Sequence, residues 1–189
     1  MNIREFSHNL QNLYQEMSES FSSLQKELNL PCLPGCGKCC LNPEIEATPL
    51  EMIPMALKIF DEGRSEEVYE LLNQTEQQYC IIFSENKCGS YQERPSVCRM
   101  FGVAGYYDKQ HQITLSICKI IKEEFSTQTQ QVLSHPPGNA PVLSDWTARL
   151  TSLDPLLTQD RKPINQALKS ALEKVSLWAM YDSAQQNNN

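Results

Sequence analysis

The sequence predicts a mainly α fold that encloses a small β-hairpin and an irregular, cysteine-rich core. Three observations carry this expectation. Apolar residues recur at three- and four-residue spacing near both ends of the chain, from Ile3 to Leu28 and from Ile164 to Trp178, the period of a helix with one buried face. Alternation of apolar and polar residues is clearest at Ile113-Thr114-Leu115-Ser116-Ile117, the pattern of a strand. Eight cysteines stand among 189 residues, four of them between positions 32 and 40 in "CLPGCGKCC".

Residues 1–30 read as one amphipathic helix striped by Ile3, Phe6, Leu10, Leu13, Met17, Phe21, Leu24 and Leu28. Such a stripe either docks a protein partner or packs on its own domain. Without clear charge complementarity beside it, coiled-coil pairing has weak support and packing on the chain itself is the better reading. Pro31 restricts Leu30 to extended geometry and ends the helix. Downstream of the cysteines, Thr48, Pro49 and Glu51 make a helix start: a cap, a first-turn proline and a capping-box carboxylate. Pro54 lacks the amide that an interior helical position requires, so the helix either kinks there or begins its main body there.

A further helix is expected over 65–76 through Val68, Leu71 and Leu72. "CIIF" (80–83) reads as a strand, "SENK" (84–87) as its turn, and "RPSVCRMF" (94–101) as a short helix opened by Pro95. "VAGYYDKQHQITLSIC" (103–118) reads as a hairpin that returns Cys118 toward Cys98. The last third is helical, interrupted at "SHPPGNAP" (134–141), with a final helix from Pro163 and a frayed polar tail, "SAQQNNN". The chain is expected to form one domain over 1–189, with the N-terminal helix at 1–30, a cysteine core at 32–120, and C-terminal helices and tail at 121–189.

A net charge of −7 leaves no overall basic footprint for nucleic acid or an anionic membrane, and the longest apolar runs fall far short of a membrane span. The opening "MNIREFSHNL" lacks the apolar core of a secretory signal. The expected location is therefore the cytoplasm, where a reducing environment favours metal ligation or catalysis over four disulfides.

The thiols themselves define the chemistry. Cys36, Cys39 and Cys40 stand at i, i+3 and i+4, so on one helical turn all three would face one cavity. Pro34-Gly35 suits a sharp turn into that segment and Asn42-Pro43 its end. A single ion rarely takes both members of a vicinal pair, because the chelate ring closes poorly. Cys39 and Cys40 thus point to a polynuclear centre or to two neighbouring sites. Thiolates are soft ligands that select zinc, cuprous copper or iron–sulfur clusters. His8, His111 and His135 lie far from any of the knuckles and read as ordinary surface or packing residues.

The stretches "CLPGCGKCC" and "CGSYQERPSVCR" resemble the CxxCxxCC family, also called YkgJ-like, a cysteine-cluster family described as chelating zinc or iron. The resemblance falls on Cys36, Cys39 and Cys40 in the first motif, and on Cys88, Tyr91, Arg94, Pro95, Cys98 and Arg99 in the second. Cys80 and Cys118 fit the family's remaining cysteines. Cys32 lies four residues before Cys36, whereas the family motif places it three before; Pro34-Gly35 can absorb the extra residue in a turn. The resemblance implies that Cys32, Cys36, Cys39, Cys40, Cys80, Cys88, Cys98 and Cys118 are metal ligands. Four thiolates on zinc, or on a cubane cluster in its usual oxidised state, leave a charge of about −2, which Lys38, Arg94, Arg99 and Lys119 are placed to offset. Arg94 and Arg99, inside the motif, are expected to donate to sulfur around the cofactor; Tyr91 reads equally as packing or as a donor.

Only Cys36/Cys39 has the C-x2-C spacing of a zinc knuckle, while Cys80-x7-Cys88-x9-Cys98 is irregular, as in cluster ligand sets. The expected cofactor is an iron–sulfur cluster, with zinc as the alternative. Cys32-x3-Cys36-x2-Cys39 also has the spacing of radical S-adenosylmethionine enzymes, but a long helix precedes it where a barrel strand would stand. Two functions follow. One is a metal centre that is redox-active or takes part in enzymatic chemistry; the resemblance implies that it can serve methyl transfer, since domains of the family it resembles are attached to flagellin lysine methylases. The other is a zinc-stabilised structural or adaptor protein. No paired carboxylates, serine triad or phosphate loop marks a catalytic site, and whether the chain is an enzyme stays open.

Overall fold

The computed structural model describes residues 2–186, with side chains through 182. In chain order it comprises α1 (Ile3–Glu27), a 3₁₀ turn (Lys38–Leu41), β1 (Glu46–Ala47), α2 (Ile53–Asp61), α3 (Ser65–Gln74), β2 (Phe83–Ser84), β3 (Lys87–Cys88), α4 (Ser96–Arg99), β4 (Val103–Tyr107), β5 (Ile113–Ile117), α5 (Lys119–Glu124), α6 (Ser126–Ser134), α7 (Leu143–Leu153), a second 3₁₀ turn (Pro155–Thr158), β6 (Lys162–Pro163) and α8 (Ile164–Gln186). Helices account for 56% of the molecule and strands occur only as small antiparallel pairs. The mainly α expectation holds.

Asn2 caps α1, its side-chain oxygen accepting from the amides of Arg4 (2.9 Å) and Glu5 (3.3 Å). The stripe from Ile3 to Leu24 is buried against the same chain, which is the plainer of its two readings. The helix ends before Pro31 comes into play. Asn29 turns left-handed at φ +52°, and the Leu30 amide donates back to the Gln25 carbonyl at 2.9 Å, a Schellman stop.

The capping box also forms. The Thr48 amide donates to Glu51 Oε2 (2.9 Å) and the Glu51 amide to Thr48 Oγ1 (3.2 Å). It closes a turn ahead of α2 rather than a helical turn, because Pro54 fixes the helix body to start at Ile53. The strand expected at "CIIF" shrinks to Phe83–Ser84, and the helix expected to Glu76 stops at Gln74. Of the expected polar tail, residues 183–186 continue α8 and residues 187–189 lie outside the described residues.

β4 and β5 pair from Val103↔Ile117 to Tyr107↔Ile113, as the alternation predicts. β1 pairs with β6 through Glu46↔Pro163 and Ala47↔Lys162. The main core lies among α1, α2, α7 and α8, with Leu10, Tyr14, Met17, Ile53 and Leu168 fully enclosed. A smaller core of Leu24, Leu30, Val103, Leu115, Ile117 and Ile121 lies under the β4–β5 hairpin. Cys80 belongs to the main core and Cys98 packs against it, while Cys118 packs against the smaller core. Among the described residues, no helix is long and apolar enough to cross a membrane.

Candidate metal centre

The first cysteine segment is shaped by Pro34-Gly35. Gly35 has φ +70°, and the Cys36 amide donates to the Leu33 carbonyl at 3.0 Å, the geometry of a type II turn with proline and glycine at its centre. Cys36 is therefore in the turn, and the helical turn that carries Cys39 and Cys40 begins only at Lys38. The three thiols do not share one helical face as their spacing predicts. Gly37 lies against the Phe83 ring, where an added Cβ would come within 2.1 Å of a ring carbon. Upstream, the Cys32 amide donates to Gln25 Oε1 at 3.1 Å, hanging Cys32 from the end of α1.

The second segment is a hairpin. Glu85 and Asn86 both have positive φ (+50° and +59°) between β2 and β3, as a two-residue turn of type I′ requires. Cys88 faces Phe83 across the pair, and the Phe83 amide donates to the Cys80 carbonyl at 3.2 Å, so Cys80 and Cys88 ride on one unit. Asn165 of α8 fastens it: its oxygen accepts from the Ile81 amide (3.0 Å) and its nitrogen donates to the carbonyls of Gln77 (3.0 Å) and Tyr79 (2.9 Å). Cys98 lies on α4, which Ser96 ties to the buried Glu51 carboxylate by a short hydrogen bond.

These segments converge on one cavity of about 370 Å³. Cys32, Cys36, Cys39, Cys40, Cys80, Cys88 and Cys98 line it, together with Lys87, Tyr91, Arg94, Arg99 and apolar side chains; no histidine, aspartate or glutamate does. Cys118 is not on its wall. Its charge nonetheless reaches Cys32, and its amide donates to the Gly102 carbonyl at 2.7 Å. All eight cysteines are free thiols. As the side chains are placed, no three of Cys, His, Asp or Glu among the described residues stand close enough together to hold a metal ion. Seven of the thiols line the wall, and three of them would have to draw closer to share one ion.

The electrostatics explain why a cation suits this cavity. Burial pushes Cys98 far up, and the neighbouring Cys80, Cys39 and Cys88 add to it. Burial likewise raises Cys80 to about 11 and raises Cys88 and Cys32, the last with help from Cys36, Cys39 and Cys118. Cys39 goes the other way, to about 6, because the Cys40 thiol donates a hydrogen bond to it; the same bond, with burial, drives Cys40 far up. Packed thiols penalise one another's ionisation, and a bound metal cation removes that penalty. The donor set is soft and free of carboxylates, so it fits zinc or iron–sulfur chemistry and not magnesium or calcium.

The two motif arginines do different things. Arg94 sits over the Tyr91 ring at 3.7 Å, and its charge lowers the thiols of Cys32, Cys39, Cys88 and Cys98 against the effects that raise most of them. Its Nε is buried without a hydrogen-bond partner. Arg99 directs its donors to backbone and hydroxyl oxygens: Nε to the Arg94 carbonyl (2.9 Å), Nη1 to Ser18 Oγ (2.7 Å) and the Tyr14 carbonyl (3.3 Å), and Nη2 to the Gln92 carbonyl by a short bond. Burial lowers its guanidinium to about 10. Arg99 clamps α1 to the second cysteine segment, while Arg94 faces the thiols. Of the other bases expected near sulfur, Lys38 is not on the cavity wall and Lys119 is exposed beside Glu123. Lys87, which the sequence reading passed over, is on the wall; its place next to Cys88 was the available signal.

The close fit of Gly37 gives a direct test of whether the two segments must meet. Gly37→Ala has to displace Phe83 or the 36–40 loop, so it is expected to reduce bound metal several-fold while far-ultraviolet circular dichroism keeps its helical signal. Wild-type metal content in this variant would show that the approach of the two segments is not required.

A family model described as "Putative zinc- or iron-chelating domain" matches residues 31–130, a span that contains all eight cysteines. No curated protein and no solved structure matches the chain.

Proposed function

The chain belongs to the CxxCxxCC family of zinc- or iron-chelating domains, and from that premise we propose that its cavity holds an iron–sulfur centre. The observation that carries this reading is the donor set: seven cysteines and no histidine or carboxylate around a single cavity. The volume, about 370 Å³, exceeds what one ion needs, and Lys87, Arg94 and Arg99 beside the thiols suit a centre with excess negative charge. When bound, such a centre supplies electron-transfer or Lewis-acid chemistry, and the redox or methyl-transfer role belongs to this proposal. The chain's own part is to present thiolates, to aim the Arg94 guanidinium at them, and to shield Cys80 and Cys98 from water with the main core. The proposed setting is the cytoplasm, where thiols stay reduced.

A zinc-stabilised adaptor is the second reading. It is favoured by Leu177, Met180 and Tyr181, which are 54%, 71% and 65% exposed at i, i+3 and i+4 on α8, an apolar patch that suits a protein partner. Purification without oxygen separates the two. Iron with acid-labile sulfide and visible absorption is the expected result. Stoichiometric zinc without iron or sulfide, after growth with ample iron, would leave the adaptor reading, because zinc has a filled d shell and no colour. Metal-free protein with its cysteines in disulfides would overturn both.

A further inference from the structure

We infer that Glu51, which is not on the cavity wall, is a positioning residue of the metal centre: through Ser96 it holds the turn of α4 that presents Cys98 to the cavity. The inference rests on the reading of Cys98 as a metal ligand and is indifferent to whether zinc or iron is bound.

Glu51 is fully buried, and a carboxylate is kept from water only where hydrogen-bond donors offset its lost hydration. The capping box does not account for it. That box closes a turn ahead of α2, whose helix body starts at Ile53, and a glutamine serves a box equally well. What the box leaves over is Oε1, and Ser96 Oγ donates to it across 45 positions of sequence. Oε2, besides accepting from the Thr48 amide, faces Arg161 Nη1 at 3.5 Å. Thr48 Oγ1 in turn donates to the Leu157 carbonyl at 3.2 Å, and the Tyr14 hydroxyl donates to the Glu51 carbonyl at 3.1 Å. Glu51 is thus fixed from α1 and from the segment 157–161 independently of α4. That makes it an anchor for whatever its free oxygen holds.

α4 needs such an anchor. It is a single turn, Ser96–Arg99, and among the described residues no side chain caps it; a helix so short does not hold itself together. Side-chain attachments secure both of its ends: Ser96 to Glu51 at the first residue, and Arg99 to α1 at the last. Cys98 lies between them. Positions i and i+2 of a helix point away from each other. With Ser96 turned into the buried carboxylate, Cys98 is turned to the other side, where it lines the cavity and Ser96 does not. Loss of the Ser96 hydroxyl frees the turn to roll about Arg99 and misplaces the thiol, while Glu51 keeps Thr48 and Arg161.

The test uses the full chain, stripped of metal and loaded anaerobically with Co²⁺, whose thiolate complexes absorb visible light. Ser96→Ala is expected to shift that absorption and to lose it to EDTA up to about tenfold faster, the scale of one hydrogen bond to a charged group. Glu51→Gln, alike in size but uncharged, should shift the band in the same direction. Adding it to Ser96→Ala should move the band no further, since both act through one contact. Val175→Ala is the control for general destabilisation: Val175 is fully buried, about three turns along α8 from the cavity-lining Ile164, and its loss should leave the band in place. A wild-type band in Ser96→Ala, a further shift in the double variant, or an equal shift in Val175→Ala would overturn the positioning role and leave metal binding intact. Wild-type protein that takes up no cobalt and carries no zinc or iron as purified would overturn the metal-binding reading, and the inference with it.

Discussion

Cys98→Ser is expected to lower bound metal and thermal stability together, and by more than Cys32→Ser. Cys98 sits on α4 against the main core, and Cys80 and Cys88, its proposed fellow ligands, ride on a hairpin unit fastened by α8. In the proposed centre, metal bridging these segments would be coupled to the fold that brings them together. Free energies of about 10–16 kcal/mol attach to structural zinc in peptides that have no core of their own. A domain with two cores loses only part of that, and a loss of about 3 kcal/mol corresponds to a fall of roughly 6–12 °C in Tm for a chain of this size. Cys32 is exposed, so its replacement disturbs neither core. The measurement is metal content and Tm on loaded and stripped protein. The Cys98→Ser deficit should shrink on stripping; an equal deficit with and without metal would assign Cys98 to packing alone.

Arg99→Met is expected to destabilise the protein by about 4 kcal/mol, taking each of the four acceptors it leaves behind at about 1 kcal/mol. For a chain of this size that is roughly 8–16 °C in Tm. Arg99→Lys recovers little of it, because one ammonium cannot reproduce a planar fork that spans Tyr14, Ser18, Gln92 and Arg94. Arg94→Met has the opposite profile: a small change in Tm and weaker retention of metal, since its charge acts on four thiols and its Nε has no protein partner. Thermal melts beside chelator competition separate the two. Wild-type stability of Arg99→Lys would refute the clamp, and unchanged metal retention in Arg94→Met would refute the facing role of that arginine.

Much of this architecture was legible where neighbouring residues decide the outcome. The α1 stripe, the Pro34-Gly35 turn and the alternation of Ile113, Leu115 and Ile117 all rest on interactions within a few positions and appear as read, and the Thr48–Glu51 box forms its two bonds although in a turn ahead of α2. Ends were harder, since two local signals compete there: the left-handed Asn29 stops α1 before Pro31 can. The Cys36–Cys40 segment failed as a helical turn because the type II turn claims the Cys36 amide, so the periodicity rule had no helix to act on. Long-range partnerships left no trace in the sequence. Nothing near Arg99 announces that its donors reach α1, and nothing near Asn165 announces the loop that carries Cys80. Those pairings exist only once the chain has folded back on itself.

The β1–β6 clasp sets an order of events on the ribosome. Ala47 pairs with Lys162, the Ile164 amide donates to the Ile45 carbonyl at 2.9 Å, and Asn165 holds the loop that carries Cys80. All eight cysteines are synthesised before any of these later residues has emerged from the exit tunnel. During synthesis the thiols therefore pass through a stage in which this clasp and the Asn165 contacts do not yet hold their segments. The cavity is complete only once Lys162, Ile164 and Asn165 have joined the segments that precede them.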